Sequence, residues 1–378
     1  MPGVRQGVPR ETLKLWSNLL KGSETLNHPI HSIDGAEFDY GSDDADNEFT
    51  ELLPTLTFAE TASERLVSDL AARVGSHPSP KDIVNLITEV LPLNSKQRLA
   101  VTMIFHHALR LQGKDSIELK DQFFLYIGGE GGTGKSRIIE AVRLGMMLLQ
   151  RQNEILVLAP TGNAASNVQG STIHTGLDIA VPGHRKRGPS ARVKALWTNR
   201  TMLVVDEISM VSSKLLHSIN LQSNVIKNLD CNSTAVFGGL HVVIVLGDFH
   251  QFPPIQAKAL WQKQESNDEK QGQLLWHLFQ NVVLLDEQMR QQSDPAYHAL
   301  LKRARDGTLT QADVDVLNTR VITSLESRPD RVNKCVVRAN KLRHLIIRQQ
   351  IDTFARNRQQ KVIIFPGRHT LEKGQRRT

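Results

Sequence analysis

The strongest constraint on the fold of this chain is the glycine-rich string GEGGTGKS at residues 129–136. It follows an apolar run, FFLYIGG at 123–129, and precedes a stretch with helical spacing from Lys135 to Gln150. The string fits the pattern G-x-x-x-x-G-K-[ST] in the strand–loop–helix context that the pattern requires. We therefore expect a phosphate-binding loop between a buried strand and a helix. A chance glycine turn is the alternative, which the flanking elements disfavour.

The residues of this loop have separate expected roles in binding ATP and Mg²⁺. Backbone N–H groups curl around the phosphates where glycine removes the side chain, and the helix N-terminus adds a partial positive charge. Lys135 places its ammonium against the β- and γ-phosphates, and the Ser136 hydroxyl can ligate Mg²⁺. The expected nucleotide-binding residues of the loop are Gly129, Gly131, Gly132, Thr133, Gly134, Lys135 and Ser136.

Apolar runs alternate with helical stretches along the chain from residue 93. Runs of this type that predict strands are FFLYIGG (123–129), ILVLA (155–159), MLVVD (202–206), VVIVLG (242–247) and VVLL (282–285). Apolar strands separated by helices are typical of a parallel sheet covered on both faces, so we predict an α/β fold. Ligands in such folds bind beyond the carboxyl ends of the strands. Helical spacing also predicts two short helices within residues 58–90.

Two carboxylates, Asp206 and Glu207, close the predicted strand at 202–206. An acid after an apolar strand suits a Walker B element, in which Asp206 would hold Mg²⁺. Glu207 would orient and deprotonate an attacking water. The alternative is a pair of surface acids, which the phosphate-binding loop upstream disfavours.

Three further polar segments follow predicted strands. GDFHQFPPI (247–255) contains Gln251, a neutral amide suited to sensing the γ-phosphate or the water. LLDEQMRQ contains Arg290, which can act as an arginine finger. The segment 159–177 is rich in small and hydroxyl residues suited to phosphate contacts, and its candidates are Thr161, Asn163, Thr172 and His174. An ordinary loop or surface residue stays open as the alternative for each segment.

Charge is distributed unevenly along the 378 residues, whose net charge is +7. Eight acidic residues and no Lys or Arg lie between Asp34 and Glu51, as in a solvated linker. From Arg338 onward there are eleven Lys or Arg and two acids. This basic tail is either a nucleic-acid face or the exposed side of helices. Because the sequence has no run of 18 apolar residues, we expect no membrane-spanning helix and no membrane partner.

The order and spacing of the motifs resemble those of a known helicase family. LNSKQ, GGEGGTGKS, APTGNAA, TIHTGL, DEISM, GDFHQFPPI and LLDEQMR occur in this order. Together they resemble the Pif-one-type (petite integration frequency) DNA helicases, relatives of RecD in helicase superfamily 1B. DEISM followed by GDFHQFPP is the most specific part of a resemblance that covers residues 91–370.

The resemblance implies a P-loop NTPase with a RecA-like sheet and a role for each motif. Gln97 would read the adenine, while Asp206 and Glu207 would be the metal ligand and the catalytic base. Gln251 would sense the γ-phosphate, and Arg290 would be an arginine finger. The segments that line the single-stranded DNA path in the family contain Thr161, Asn163, Thr172 and His174.

The activity that the resemblance implies is that of an ATP-dependent DNA helicase moving 5′ to 3′ on single-stranded DNA. Single-stranded DNA and duplex junctions are the implied partners, in DNA repair, recombination and telomere or genome maintenance. The implied location is the nucleus, with the mitochondrion as the alternative. The expected parts are an irregular acidic region (1–57), a helical extension (58–90), RecA-like domain 1A (91–290) and a partial second RecA-like lobe (291–378).

The second lobe is expected to be incomplete. The segments 332–351 and 361–370 resemble its start, and KGQ occurs at 373–375, but the family's later arginine motif does not follow before Thr378. Because such motors hydrolyse ATP between two lobes, we expect nucleotide binding with weak hydrolysis and little autonomous unwinding. A nucleotide-dependent DNA-binding module without a motor is the alternative function. A P-loop kinase is less favoured, because no small-molecule acceptor site is evident.

Overall fold

A computed structural model describes residues 63–114, 117–179, 188–230, 232–291, 294–320, 337 and 339–362. The predicted acidic region at 1–57 and the KGQ at 373–375 lie outside the described residues. Described residues up to 310 belong to one compact unit, and those from 311 onward belong to a second. The boundary expected between residues 290 and 291 stays a prediction.

Six parallel strands form the sheet of the first unit, as far as the structure describes it. They are β1 (Phe123–Gly129), β2 (Ile155–Ala159), β3 (Ser171–Thr172), β4 (Met202–Val205), β5 (Val242–Gly247) and β6 (Asn281–Leu285). Their spatial order is β3–β2–β4–β5–β1–β6. Because every pair is parallel, all the carboxyl ends lie at one edge of the sheet, which we call the carboxyl edge, and the amino ends lie at the opposite, amino edge.

The predicted α/β fold with a parallel sheet is confirmed. The bounds of β1, β2 and β5 are those that the apolar runs predict, whereas β4 ends one residue before Asp206 and β6 begins one residue earlier, at Asn281. β3 was not predicted, because two residues are too few to show a strand pattern.

Helices surround this sheet and precede it. In the first unit they are α1 (Ser63–Ala72), α2 (Pro80–Val90), α3 (Ser95–Arg110), α4 (Lys135–Leu148), α5 (Gly162–Asn167), α6 (Ile173–Leu177), α7 (Ala191–Trp197), α8 (Ser213–Ile226), α9 (Asn267–Trp276) and α10 (Pro295–Asp306). The second unit contains α11 (Gln311–Asn318) and α12 (Asn340–Asn357). Within the described ranges, no helix has the length and apolar character needed to cross a membrane.

Alternate residues of the strands enter two separate hydrophobic cores. Leu125 and Ile127 of β1 pack with buried residues of α2, α3 and α4 on one face. Phe124 of β1 and Val243 of β5 pack with residues of α6, α7 and α8 on the other. Because side chains alternate across a strand, a run that is apolar throughout requires a core on each face. The sheet is therefore buried on both faces, and its carboxyl edge carries the polar segments.

Candidate functional site

A cavity of about 720 Å³ lies at the carboxyl edge of the sheet. Its volume falls within the range of roughly 300–1,000 Å³ that is usual for small-molecule sites. The segments that follow β1, β2, β4, β5 and β6 all contribute to its walls. The lining residues are Gly131, Gly132, Gly134, Lys135, Ser136, Thr161, Ala164, Asn167, Asp206, Glu207, Met210, Gln251, Phe252, Met289 and Arg290.

The loop between β1 and α4 requires glycine at two positions. Gly132 and Gly134 have φ angles of 92° and 88°, in the left-handed region that side chains disfavour. A Cβ atom on Gly132 would also collide with the Gln288 side chain, and one on Gly134 would collide with Gln97. Helix α4 begins at Lys135, and no side chain within the described residues caps its N-terminus. Its first N–H groups therefore suit an anion such as a phosphate.

Lys135 is held inside the loop. Lys135 is only 8% exposed, and its Nζ donates hydrogen bonds to the carbonyls of Gly129 (2.7 Å) and Glu130 (3.0 Å). Burial lowers the pKa of Lys135, and the charges of Glu207, Asp248 and Asp206 oppose that change. The ammonium is therefore fixed at the cavity wall within a group of carboxylates.

Asp206 and Glu207 reach the same cavity from the end of β4. Burial, followed by repulsion from Glu207, raises the pKa of Asp206 to about 6. Glu207 has a φ angle of 54° and introduces a 3₁₀ turn at Ile208–Met210. Its buried Oε2 has no hydrogen-bond partner among the described residues, so the carboxylate needs a cation or a water.

The oxygen atoms at this point suit Mg²⁺. The Ser136 hydroxyl and the Asp206 carboxylate line one cavity, and both are oxygen ligands of the kind that Mg²⁺ prefers. A divalent cation would also relieve the repulsion between the carboxylates of Asp206 and Glu207. The residues therefore fit the predicted metal site.

The segment after β5 brings a third carboxylate to the site. Asp248 directly follows the strand, and its side chain is 3% exposed. The backbone N–H of Gln251 donates to the Asp248 carbonyl (2.8 Å), which forms a turn that places the exposed Gln251 side chain on the cavity. Sequence reasoning chose Gln251 in this segment and missed Asp248, although an acid directly after an apolar strand is the signal that identified Asp206.

Arg305, near the end of α10, was also missed. Its Nη1 and Nη2 atoms donate to the two carboxylate oxygens of Asp248, each at 2.6 Å. Its Nε lies 3.3 Å from Oε1 of Glu130, which belongs to the glycine-rich loop. Burial alone would raise the pKa of Asp248, but hydrogen bonds from Arg305 and from the His250 backbone hold it below its ordinary value. Arg305 therefore joins the segment after β5 to the loop after β1.

The segment after β6 is attached to the same loop. The Gln288 side chain donates to the Gly131 carbonyl (2.8 Å), and the Met289 backbone N–H donates to the Gly132 carbonyl (2.9 Å). The Arg290 backbone N–H donates to Oε1 of Gln288 (3.0 Å). These contacts place the exposed Arg290 at the cavity, where the sequence predicts an arginine finger.

Gln97 is not part of the cavity lining. Its Oε1 accepts a hydrogen bond from the Asn94 backbone N–H (3.0 Å) in the cap of α3, and its Nε2 donates to the Thr133 carbonyl (3.3 Å). The residue is 3% exposed. In this structure Gln97 supports the glycine-rich loop, and adenine recognition by Gln97 stays a prediction.

The predicted DNA-contacting residues lie between the end of β2 and the first turn of α6. The Thr161 hydroxyl caps α5 by accepting from the Ala164 N–H (3.2 Å), and Thr161 is the one of the four that lines the cavity. The Thr172 hydroxyl caps α6 in the same way. Asn163 is exposed and His174 is half-buried. Their contact with DNA stays a prediction.

Comparison with known proteins gives consistent matches. A sequence model of the family described as PIF1-like helicase matches residues 93–314, more than half of the chain. The chain is 29% identical over 196 residues to the ATP-dependent DNA helicase PIF1 of Candida albicans, covering 49% of this chain and 21% of that protein. It is 30% identical over 211 residues to the ATP-dependent DNA helicase RRM3 of Saccharomyces cerevisiae, covering 53% and 27% respectively.

A solved structure of similar fold is that of the Pif1 helicase from Candida albicans. The TM-score is 0.49 at 22% identity, with 69% of this chain and 55% of that chain covered. Among the curated relatives, the present chain spans less than a third of the length of the Candida albicans PIF1 and Saccharomyces cerevisiae RRM3 proteins.

Proposed function

The chain belongs to the PIF1-like helicase family, and we propose that it binds MgATP at the carboxyl edge of its sheet and hydrolyses it while moving along single-stranded DNA. The observation that carries this proposal is the convergence of Lys135, Ser136, Asp206 and Glu207 on one cavity. A surface pair of acids would not share a cavity with the loop lysine. The curated relatives are named ATP-dependent DNA helicases, which supports DNA as the polymer.

The proposed reaction is attack by water on the γ-phosphorus with cleavage of the bond to the β–γ bridging oxygen. Glu207 accepts the proton from the water, a role suited to a carboxylate whose Oε2 has no partner among the described residues. Lys135 compensates the charge on the phosphate oxygens, and Arg290, which lines the same cavity, adds a second positive charge. Mg²⁺, when held by Ser136 and Asp206, supplies further charge neutralisation. The Gln251 amide orients the water.

The proposed cellular role follows from the family. We assign Thr161, Asn163, Thr172 and His174 to the single-stranded DNA path and propose duplex junctions as substrates, with 5′ to 3′ movement. DNA repair, recombination and telomere maintenance in the nucleus are the proposed setting, with the mitochondrion as the alternative. DNA affinity should fall steeply with salt, because bound lysines and arginines release counterions from the phosphates.

The test is steady-state ATP turnover with and without single-stranded DNA, with the Lys135→Ala variant as the negative control. We expect turnover above that of Lys135→Ala, increased by DNA. A duplex with a 5′ single-stranded tail then tests unwinding, and a matched 3′-tailed duplex is the polarity control. ATP and DNA binding with turnover no higher than that of Lys135→Ala would instead support the nucleotide-dependent DNA-binding module.

A further inference from the structure

We infer that Arg305 is a positioning residue of the nucleotide site, which keeps the Lys135 ammonium available for the triphosphate by neutralising Asp248 and Glu130. The inference rests on the proposed ATP site and assigns to it a residue that none of the motifs contains. Arg305 reaches the site from α10, which follows the last strand of the sheet.

The contact between Arg305 and Asp248 has the geometry of a strong ion pair. Both guanidinium Nη atoms donate to the two carboxylate oxygens at 2.6 Å. Exposure is 23% for the Arg305 side chain and 3% for that of Asp248, so water screens the pair weakly. Planar, bidentate pairs of this kind fix orientation as well as charge. Arg305 therefore holds Asp248 in one position.

The second contact of Arg305 acts on the loop itself. Its Nε lies 3.3 Å from the Glu130 carboxylate. The Glu130 carbonyl accepts hydrogen bonds from the Lys135 ammonium (3.0 Å) and the Thr133 hydroxyl (2.8 Å). Holding the Glu130 side chain therefore steadies a peptide unit that orients the loop lysine.

The charge balance at the site explains why a cation is needed there. Asp206, Glu207 and Asp248 all act electrostatically on Lys135. Without Arg305, the buried Asp248 carboxylate would lack its guanidinium and would compete with phosphate for the Lys135 ammonium. The uncompensated negative charges of Asp248 and Glu130, neither of which lines the cavity, would also repel an incoming triphosphate through space. Both effects weaken nucleotide binding without removing any phosphate ligand.

The experiment is a double-mutant cycle on Arg305 and Asp248 in the full chain. Equilibrium binding of a fluorescent ATP analogue with Mg²⁺ is measured for wild type, Arg305→Ala, Asp248→Asn and the double variant. We expect Arg305→Ala to raise Kd on the order of tenfold, within the usual range of coupling between sites. Adding Asp248→Asn should recover most of that loss, because the neutral amide no longer attracts Lys135.

Each other outcome overturns the inference. A double variant as weak as Arg305→Ala would show that Arg305 does not act by neutralising Asp248. Unchanged binding by Arg305→Ala would show that it has no role. Lys302→Ala, on the exposed side of α10, is the matched control and should bind as wild type. Arg305→Met retains the apolar stem and replaces the alanine variant if thermal melting shows that Arg305→Ala is unfolded.

Binding of the analogue by wild type and Lys135→Ala distinguishes a failure of the proposed ATP site from a failure of the proposed Arg305 role. If wild type and Lys135→Ala bind the analogue equally weakly, the ATP site itself is refuted. If wild type binds and Lys135→Ala does not, the site stands, and the cycle alone decides the role of Arg305.

Discussion

The two edges of the sheet contain cavities of almost equal volume, about 720 Å³ at the carboxyl edge and about 730 Å³ at the amino edge. Each cavity is lined by a lysine whose pKa is lowered by burial, Lys135 at the carboxyl edge and Lys227 at the amino edge. Neither the volume nor the presence of a buried lysine therefore distinguishes the two cavities. The difference lies in what the lysines contact.

An ammonium group has three N–H donors. Lys135 donates to two carbonyls and faces carboxylates that can hold a metal ion, so it retains a donor for a phosphate. Lys227 donates to three carbonyls, those of Trp197, Thr198 and Arg200, at 3.2–3.4 Å. It thus stabilises the turn between α7 and β4. The number of ammonium N–H donors left unused, rather than the size of the cavity, thus distinguishes a ligand-binding lysine from a structural one.

Replacing Lys135 tests the first half of this comparison and should have the largest effect. Lys135→Ala should lower kcat/KM for ATP by about 10³-fold, because charge compensation at the transition state is lost. The measurement is ATP turnover in the presence of single-stranded DNA. Lys227→Met is the matched control and should leave kcat/KM within about twofold of wild type. Equal losses for both variants would remove the distinction between the edges.

Replacing Glu207 sharpens the comparison by separating chemistry from binding. Glu207→Gln should lower kcat about 10²–10³-fold while ATP affinity stays near that of wild type, because the amide cannot accept the proton. Turnover and equilibrium binding of the fluorescent analogue are measured together. Glu154→Gln is the control at the amino edge, where Glu154 already accepts hydrogen bonds from Arg151 and Thr201. Its turnover should be unaffected, and loss of turnover there would contradict the assignment.

Replacing Lys227 should affect stability instead of turnover. Lys227→Met keeps the apolar stem but leaves three carbonyls without their donor, which should cost about 1–3 kcal/mol of unfolding free energy. For a domain of this size the expected fall in Tm is roughly 2–4 °C for each kcal/mol. Thermal unfolding followed by circular dichroism measures it. An unchanged Tm, or a loss of ATP affinity, would contradict a structural role.

The smallest expected effect is a pH dependence of stability from His107 at the amino edge. Its ring stacks on Phe123 with centroids 3.8 Å apart, and burial, with Arg110 and His106 adding to it, lowers its pKa from 6.5 to about 4. Because the folded protein binds this proton less readily, the contribution to stability is complete above pH 6.5 and is lost as the pH falls towards 4.

His107→Phe preserves the stacked ring and removes the titration. The decline of Tm between pH 7 and pH 4 should therefore be shallower for the variant than for wild type. Turnover at pH 7 should be unchanged, since His107 lies away from the carboxyl edge. Parallel Tm profiles for the two proteins would show that His107 does not contribute.

Much of the fold and part of the site follow from local sequence. Apolar runs such as 242–247 predicted strand bounds well, because a strand buried on both faces has no polar position to obscure its ends. The glycine-rich loop and the pair Asp206–Glu207 were found because each directly follows such a run. Placing them on one cavity then required only that parallel strands share a carboxyl edge.

The remaining features depend on contacts between distant segments. Arg305 lies in an amphipathic helix, where an arginine is ordinarily solvent-exposed, and its partners lie 57 and 175 residues away in the chain. Gln288 looks like any loop amide until the fold places the Gly131 carbonyl beside it. The Oε1 atom of Gln97 accepts a hydrogen bond in the cap of α3, and its Nε2 atom donates to the distant Thr133 carbonyl. The contact with Thr133 depends on the fold, so the sequence alone did not reveal it.

The attachment of the segment after β6 to the glycine-rich loop has a mechanical consequence. Gln288 and Met289 are bonded to consecutive carbonyls of the loop, on Gly131 and Gly132. A displacement of Gln288 and Met289 would therefore strain two peptide units of the loop, and a rearrangement of the loop would strain the segment after β6 in return. These two hydrogen bonds therefore couple the conformation of the glycine-rich loop to that of the segment after β6.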